Sequence, residues 1–284
     1  MIDKYKIVEL QKFAARIRIE TLKQIGKRGF GHIGGAMSIV DTLSVLYGEI
    51  MNIRPKEPKW DNRDWFICSK GHAGPSIYSA LALKGYFPID KLATLNQNGT
   101  MLPSHCDRNL TPGIDMTTGS LGQGASAAVG IALGNKMDER DSYVYLVVGD
   151  GEMQEGQVWE AILSASQLKL GNLIMFVDNN KQQLDGYTKD INDLGDIKAK
   201  LKTFNWHSQE IDGGSIEEIY NAIEKAKDVK DKPSVIVLNT IKGKGCLFAE
   251  KILNNHHMTV NDDQVNEALA DLENELSALE RMAN

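Results

Sequence analysis

The residues with the clearest chemical potential are an acid and an amide thirty positions apart. Asp150 lies in a Gly-Asp-Gly turn and Asn180 ends an Asn-Asn pair, and each motif closely follows an apolar run. A carboxylate, an amide oxygen and a nearby backbone carbonyl suit a hard divalent cation that also carries phosphate oxygens. A bare Gly-Asp-Gly is also typical of an ordinary turn in which the acid caps a helix, and these two motifs alone leave that alternative open.

Two apolar runs and the segment between them must bring these motifs together. Tyr143–Val148 and Leu173–Val177 suit buried parallel strands, and Gln157–Leu170 has helical spacing, so the stretch predicts a βαβ unit. The carboxyl ends of neighbouring parallel strands lie side by side. Asp150 and Asn180 are therefore expected to converge at one edge of the sheet, near a helix N-terminus.

Similar patterns predict further elements around this unit. The predicted helices are Lys6–Gly26 with Gly26 as its C-cap, Val40–Ile50, Ile77–Leu83, Gln123–Met137 and a charged C-terminal segment at 260–283. The predicted strands are Trp65–Cys68, His207–Ile211 and Ser234–Leu238. The segment Leu184–Lys202 has mixed polarity and is expected to contain an active-site loop. We therefore predict an α/β fold with a doubly wound, mostly parallel sheet and helices on both faces, forming one domain over residues 1–284.

Composition excludes several classes of protein. The 284 residues are 42% hydrophobic and carry 32 basic against 38 acidic side chains, a net charge of −6, with no basic run interleaved with aromatics. Nucleic acid is therefore not an expected partner. No run approaches the roughly 20 apolar residues of a membrane span, and the N-terminus does not have the pattern of a signal peptide. Three separated cysteines suit reduced thiols, so we expect a soluble cytoplasmic protein.

Further motifs follow one another along nearly the whole chain. They are GHIGG at Gly31–Gly35, SKGHA at Ser69–Ala73, LPSH at Leu102–His105, TTGSLGQG at Thr117–Gly124 and TIKGKG at Thr240–Gly245. Together with GDGEMQEGQVWEA and DNNKQQLDG, they resemble the thiamine diphosphate-dependent transketolases. Full-length transketolases continue into a second thiamine-type domain and a third C-terminal domain, whereas this sequence stops at Asn284. The resemblance therefore implies the N-terminal, diphosphate-binding subunit of a split transketolase.

The resemblance also implies a set of cofactor and metal residues. The Mg²⁺ ion, with Ca²⁺ or Mn²⁺ as substitutes, would be held by the side chains of Asp150 and Asn180 and the carbonyl of Gln182, and Gly151 would admit the diphosphate. Further positions would touch thiamine diphosphate or the substrate: Gly119, Leu121, Leu184, Ile241, Lys70 and Lys242. A plain core or turn role remains an alternative for the glycine and the three apolar residues, and a solvated position remains one for the two lysines.

Four of the six histidines fall in motifs that resemble the transketolase substrate channel. His32, His105 and His256 would face the donor sugar, and His72 would lie closer to the cofactor. An imidazole suits this role because its pKa of about 6.5 lets it bond a hydroxyl or relay a proton near neutral pH. The chain has His256-His257-Met258 where relatives tend to have His-Gly, and Ile33 where many have proline. No role is predicted for His257 or His207.

The glutamate that activates the cofactor belongs, in this family, to the absent pyrimidine-binding domain. The resemblance thus implies that the chain is nearly inactive alone and acts with a C-terminal subunit that carries this domain, as an α2β2 heterotetramer with Glu155 and Glu160 at a subunit interface. The predicted reaction transfers a two-carbon ketol unit from a ketose, or ketose phosphate, to an aldose. The alternatives are a deoxyxylulose-phosphate synthase-like or 2-oxo acid dehydrogenase-like component, or a non-catalytic cofactor-binding module.

Overall fold

Residues 2–282 are described by a computed structural model, in which a five-stranded parallel sheet carries helices on both faces. The strands are β1 (Phe30–Gly31), β2 (Trp65–Cys68), β3 (Val144–Gly149), β4 (Leu173–Asn179), β5 (His207–Asp212), β6 (Ser234–Asn239) and β7 (Met258–Thr259). The helices are α1 (Lys4–Arg28), α2 (Ile33–Met37), α3 (Val40–Val45), α4 (Gly74–Leu83), α5 (Gln123–Met137), α6 (Gly156–Gln167), α7 (Thr188–Ile191), α8 (Ile197–Thr203), α9 (Ile216–Lys227), α10 (Leu247–Glu250) and α11 (Asp262–Met282). The main sheet has the order β2-β3-β4-β6-β5, and β1 pairs with β7 in a separate antiparallel ribbon.

The central strands β3, β4 and β6 are mostly apolar, with polar residues towards their ends, because both faces of the sheet are covered. Successive residues of β3 point to opposite faces, so that Tyr145 and Val147 join one core while Val144, Leu146 and Val148 join the other. The first core lies under α1, α3, α4 and α9, and the second lies under α5, α6 and α8. The predicted doubly wound α/β fold is confirmed.

Most predicted elements are present, with small changes at their ends. Trp65–Cys68 and Gln123–Met137 have the predicted bounds, and the strand predicted at His207–Ile211 ends one residue later. β4 runs two residues beyond the predicted end at Val177, which brings Asp178 into the sheet. The predicted loop Leu184–Lys202 contains α7 and most of α8.

The predicted C-cap of the first helix is wrong. The helix continues through Gly26 and ends at Gly29, whose left-handed conformation (φ 80°) closes it. Gly26 is needed for another reason, because a Cβ there would lie 2.8 Å from Cγ1 of Val265 on α11. The two helices approach closely at this glycine.

The C-terminal helix starts within two residues of its predicted beginning at about residue 260. α11 begins at Asp262 rather than at residue 260, because Asn261 caps it: the side chain of Asn261 accepts from the amide of Gln264 (2.9 Å) and the side chain of Gln264 accepts from the amide of Asn261 (3.1 Å). The predicted residue 283 lies outside the described residues. Val265, Ala268 and Leu272 bury α11 against the first core.

One further segment departs from a regular helix. The helix predicted at Val40–Ile50 is present, but its last turn, Leu46–Ile50, is π-helical. Within residues 2–282 no helix is long and apolar enough to cross a membrane.

Candidate cofactor and substrate site

A cavity of about 300 Å³ lies beyond the carboxyl ends of β3 and β4, where their terminal turns meet several other loops. Most of the residues predicted for the site line it: Lys70, His72, His105, Gly119, Leu121, Asp150, Gly151, Asn180, Gln182, Leu184, Lys242 and His256. His32 does not line the cavity itself, but its ring contacts those of His72, His105 and His256, which do. Ile241 also lies outside the lining. The structure therefore brings together residues from motifs spread over the chain.

The carboxylate of Asp150 is fixed at the floor of this cavity. It is 2% exposed and accepts hydrogen bonds from the amides of Gly151 (2.8 Å) and Lys181 (2.6 Å). Burial, and then the nearby charge of Asp178, raise the pKa of Asp150 to about 7. A bound cation would stabilise the ionised carboxylate, because its positive charge compensates for the lost solvation and for the repulsion by Asp178.

Asn180 lies in the neighbouring loop, directly after β4 and next to Lys181, whose amide donates to Asp150. Its Nδ2 donates to Asp178 (2.8 Å), and its Oδ1 accepts from the amide of Gln182 (3.1 Å). The side-chain oxygens of Gln182 and Gln183 are buried and have no hydrogen-bond partner. No cluster of three His, Cys, Asp or Glu side chains suited to a metal occurs in residues 2–282, so an ion here would combine the carboxylate of Asp150 with amide and carbonyl oxygens, as a hard cation can.

Lys70 is not solvated, so that alternative is wrong. It is 1% exposed, and its Nζ lies 2.5 Å from Oδ2 of Asp178 and 2.7 Å from the carbonyl of Gly35. Burial opposes ionisation of Asp178, but Lys70 and hydrogen bonds from Thr240 and Ser38 hold the pKa of this carboxyl below its usual value. The pair ties the loop after β2 to the end of β4.

Lys242 is also buried rather than solvated. Its Nζ lies 3.4 Å from the carbonyls of both Gln182 and Gln183, and the residue is 2% exposed. Burial, with repulsion from Lys70 next, lowers the pKa of Lys242 to about 8. The ammonium group of Lys242 is protonated at pH 7 and makes this wall of the cavity attractive to an anionic group.

Glu152 is a site residue that the sequence analysis missed. Its buried carboxylate accepts from the hydroxyl of Ser69 and from the amides of Gly122 (2.8 Å) and Gly149 (3.1 Å). It thereby joins three loops around the cavity. The available signal is an acid directly after the Gly-Asp-Gly motif.

Glycines keep the cavity open where a side chain would fill it. Gly119 has a φ of 146°, and a Cβ there would lie 3.1 Å from the ring of His105. A Cβ on Gly151 would lie 2.8 Å from Cβ of Gln183. The glycine-rich turns thus provide close backbone approach, which a diphosphate needs.

Five histidine rings cluster above the buried acids and lysines. His32 is central, with ring centroids 5.6 Å from His72, 5.2 Å from His105, 5.4 Å from His256 and 4.6 Å from His257. Burial, followed by His257, lowers the pKa of His32 to about 3, and burial, followed by Lys242, lowers that of His256 to about 4. Burial lowers the pKa of His72 and His105 as well. These four rings are neutral at pH 7 and can accept as well as donate hydrogen bonds.

The predicted apolar residues lie at the rim of the site rather than in the core. Leu121, Leu184 and Ile241 are 36%, 61% and 55% exposed, which excludes a plain core role for them. Glu155 and Glu160 lie on the exposed surface of α6 and its preceding turn. His207 begins the edge strand β5, at the end of the sheet away from the cavity.

The comparisons with known proteins agree with this geometry. Residues 10–275 match the family described as "Transketolase, thiamine diphosphate binding domain". The chain is 53% identical over 268 residues to the 6-deoxy-6-sulfo-D-fructose transketolase subunit SqwG of Clostridium sp. (strain MSTE9), a match that covers 94% of this chain and 98% of that protein. It is 39% identical over 269 residues to an apulose-4-phosphate transketolase subunit of Actinobacillus succinogenes, covering 94% and 97%.

Solved structures extend the comparison to full-length enzymes. The transketolase of Campylobacter jejuni superimposes with a TM-score of 0.88 at 28% identity, over 98% of this chain and 46% of that one. A transketolase mutant of Pichia stipitis in complex with fructose 6-phosphate gives 0.84 at 33% identity, over 96% and 45%. The chain therefore spans about half the length of these transketolases.

Fold, site and family match together define a thiamine diphosphate-binding α/β protein. More particularly, the chain belongs to the transketolase family of transferases, as its N-terminal, thiamine diphosphate-binding part. The prediction of the N-terminal subunit of a split transketolase is confirmed, since relatives of the same length carry subunit names.

Proposed function

We propose that this chain combines with a C-terminal subunit to transfer a two-carbon ketol unit from 6-deoxy-6-sulfo-D-fructose, or a closely related anionic ketose, to an aldose. The observation that supports this donor is the 53% identity to a subunit named for it, over 98% of that subunit's length. The relatives named for apulose 4-phosphate are 34% and 39% identical.

The cofactor residues fit the group that the family binds. In the proposal, Asp150, Asn180 and the carbonyl of Gln182 hold Mg²⁺, for which Ca²⁺ or Mn²⁺ can substitute. Support comes from the buried carboxylate and from the neighbouring amide and carbonyl oxygens at the same edge of the sheet. Thiamine diphosphate, when bound, supplies the carbanion chemistry that breaks and forms the carbon–carbon bond of a ketose.

The remaining site residues hold the cofactor and the sugar. In the proposal, Lys242 offsets the negative charge of the diphosphate. Lys70, whose charge is balanced by Asp178, orders the wall of the cavity beside the cofactor, and Gly119 and Gly151 admit the diphosphate closely. In the proposal, Leu121 and Leu184 in the cavity lining, and Ile241 next to Lys242, would contact the thiamine rings. In the proposal, His32, His72, His105 and His256 bond the hydroxyls of the sugar, because their lowered pKa values keep the rings neutral, so that each ring offers one donor and one acceptor nitrogen.

A second polypeptide completes the site. Exposed apolar side chains at the rim, including Leu121, Leu184 and Ile241, would be covered by the partner's pyrimidine-binding domain. That domain supplies the activating glutamate, and the assembly is an α2β2 heterotetramer with Glu155 and Glu160 at an interface. Residues 1–284 form one diphosphate-binding domain with α11 as its C-terminal segment. The proposed location is the cytoplasm, which suits three buried free thiols.

The donor is tested by initial rates with a panel of ketoses. The chain, its co-encoded C-terminal subunit, thiamine diphosphate and Mg²⁺ are mixed with an aldose phosphate and each donor. We expect 6-deoxy-6-sulfo-D-fructose to give a kcat/KM at least about tenfold above that of fructose 6-phosphate and apulose 4-phosphate, a difference of about 1.4 kcal/mol in transition-state binding. A higher value for apulose 4-phosphate would assign the other donor, and no turnover with any ketose would favour the non-catalytic alternative.

The metal assignment is tested by cofactor retention. Asp150→Ala is expected to lower the affinity for thiamine diphosphate at saturating Mg²⁺ by at least about a hundredfold, because a charged ligand is lost from a buried site. Isothermal titration calorimetry measures this change. Asp190→Ala, at an exposed acid on α7, is the matched control. Equal affinities of the parent chain and Asp150→Ala would refute the assignment.

A further inference from the structure

The antiparallel ribbon places a fifth histidine opposite the central one. β1 and β7 are the strands that directly precede His32 and directly follow His257. Their register pairs Gly31 with Met258, so the next pair along it is His32 with His257. Opposite residues of an antiparallel pair project to the same face. The two rings accordingly meet edge to face, with centroids 4.6 Å apart.

Backbone hydrogen bonds hold both sides of this histidine pair. The amide of Val260 donates to the carbonyl of Gly29 (3.0 Å), and the amide of Gly34 donates to the carbonyl of Asn255 (2.9 Å), in the same register as the ribbon. Gly34 also leaves no room for a side chain, because a Cβ there would lie 2.6 Å from the carbonyl oxygen of Asn255. The position of His257 is therefore set by the ladder and not by its side chain alone.

The side chain of His257 has one packed side and one open side. Its ring lies 5.6 Å from that of Phe30, over which Arg28 stacks at 4.6 Å, and it contacts His32 on the inner side. His257 is exposed, whereas His32 is half-buried. The outer ring of the pair can therefore meet a solute that enters from solvent.

We propose that His257 belongs to the substrate channel, as a positioning residue for His32 and as a specificity-determining residue for the sugar. Its ring holds His32 in place from outside, and its exposed nitrogens bond a hydroxyl of the ketose chain as the sugar passes. A side chain at this position also narrows the channel where the resemblance predicts glycine. This inference rests on the proposed ketol transfer and assigns a role to a residue that the family motif does not contain.

The test compares two substitutions in the reconstituted enzyme with 6-deoxy-6-sulfo-D-fructose. His257→Phe keeps a ring against His32 but removes the nitrogens, and we expect the KM of the ketose to rise about fivefold with kcat unchanged. His257→Ala removes both contributions, and we expect kcat to fall about tenfold as well. His207→Ala is the control, and neither change should alter the affinity for thiamine diphosphate. Parental kcat and KM in both variants, with an active parent, would overturn the proposal.

A spectroscopic measurement on the full chain separates this proposal from the proposed function. With histidines labelled at ¹³Cε1, His257→Ala is expected to shift the His32 signal, and His257→Phe to shift it less. An unchanged His32 signal would overturn the positioning role, whatever the activity. If the parent chain with its partner transfers no ketol unit, the proposed function fails, and the specificity role fails with it even when the His32 signal moves.

Discussion

At the residue scale, the buried carboxylate of Glu152 organises the site through the hydrogen bonds that it accepts. It accepts from the hydroxyl of Ser69 and from the amides of Gly122 and Gly149, so three loops depend on its two oxygens. Burial raises the pKa of Glu152, and the three donors favour the ionised form. A neutral side chain of the same shape would set an amide group against one of these donors.

We therefore expect Glu152→Gln to lower the free energy of unfolding by about 1–3 kcal/mol, the usual cost of an unsatisfied buried group. Chemical denaturation of the chain measures the change, and calorimetry should show weaker binding of thiamine diphosphate because the loops lose their common anchor. Glu155→Gln, three residues later and exposed, is the matched control. Equal stability of the two variants would contradict the anchoring role.

The histidine cluster makes a prediction about pH. Burial lowers the pKa of His32 to about 3 and that of His256 to about 4, against about 6.5 in the unfolded chain. As the pH falls below about 6.5 the unfolded chain binds these protons first, so the stability present above that pH is lost as the pH falls towards about 4. Between pH 7 and pH 5 we expect these two histidines to lower the Tm of the parent chain relative to that of the double variant His32→Gln/His256→Gln, while the raised pKa of Asp150 acts in the opposite direction in both proteins. An equal loss in the parent and the double variant would refute neutral burial of this pair.

At the element scale, the contact between α1 and α11 explains why a glycine lies inside a long helix. Alanine is favoured over glycine in a helix by about 1 kcal/mol, yet a Cβ at Gly26 would meet Cγ1 of Val265 at 2.8 Å. We expect the clash with Val265 to outweigh the higher helix propensity of alanine. Gly26→Ala should therefore lower the Tm, and Val265→Ala in that background should recover part of the loss. A higher Tm for Gly26→Ala would show that the helices do not meet as closely as described.

The elements also show what the sequence can and cannot predict. Buried strands such as β2 and β4 can be predicted because an apolar run is a local signal. The convergence of Asp150 and Asn180 can be predicted because the carboxyl ends of neighbouring parallel strands lie side by side. Gly26 was misread as a cap because its reason lies on α11, more than two hundred residues away. His257 went unassigned for the same reason, since its place follows from the pairing of β1 with β7. Contacts between distant segments leave no local pattern.

At the scale of the whole molecule, the proposed function makes the cavity one half of a site. The buried acids, lysines and histidines of this chain form its floor and one wall, while apolar side chains at the rim remain exposed to solvent. Relatives of the same length are named as subunits, and the full-length transketolases of known structure are about twice as long. Under the proposed function, catalysis therefore requires both chains.

The most direct test of that claim is mass spectrometry of the products formed from 6-deoxy-6-sulfo-D-fructose and an aldose phosphate, with thiamine diphosphate and Mg²⁺. Removal of carbons 1 and 2 leaves a four-carbon aldose that retains the sulfonate, and the acceptor gains the same two carbons. The account predicts both products from this chain mixed with its C-terminal partner and neither from either chain alone. Formation of the four-carbon sulfo-aldose by this chain without a partner would contradict it.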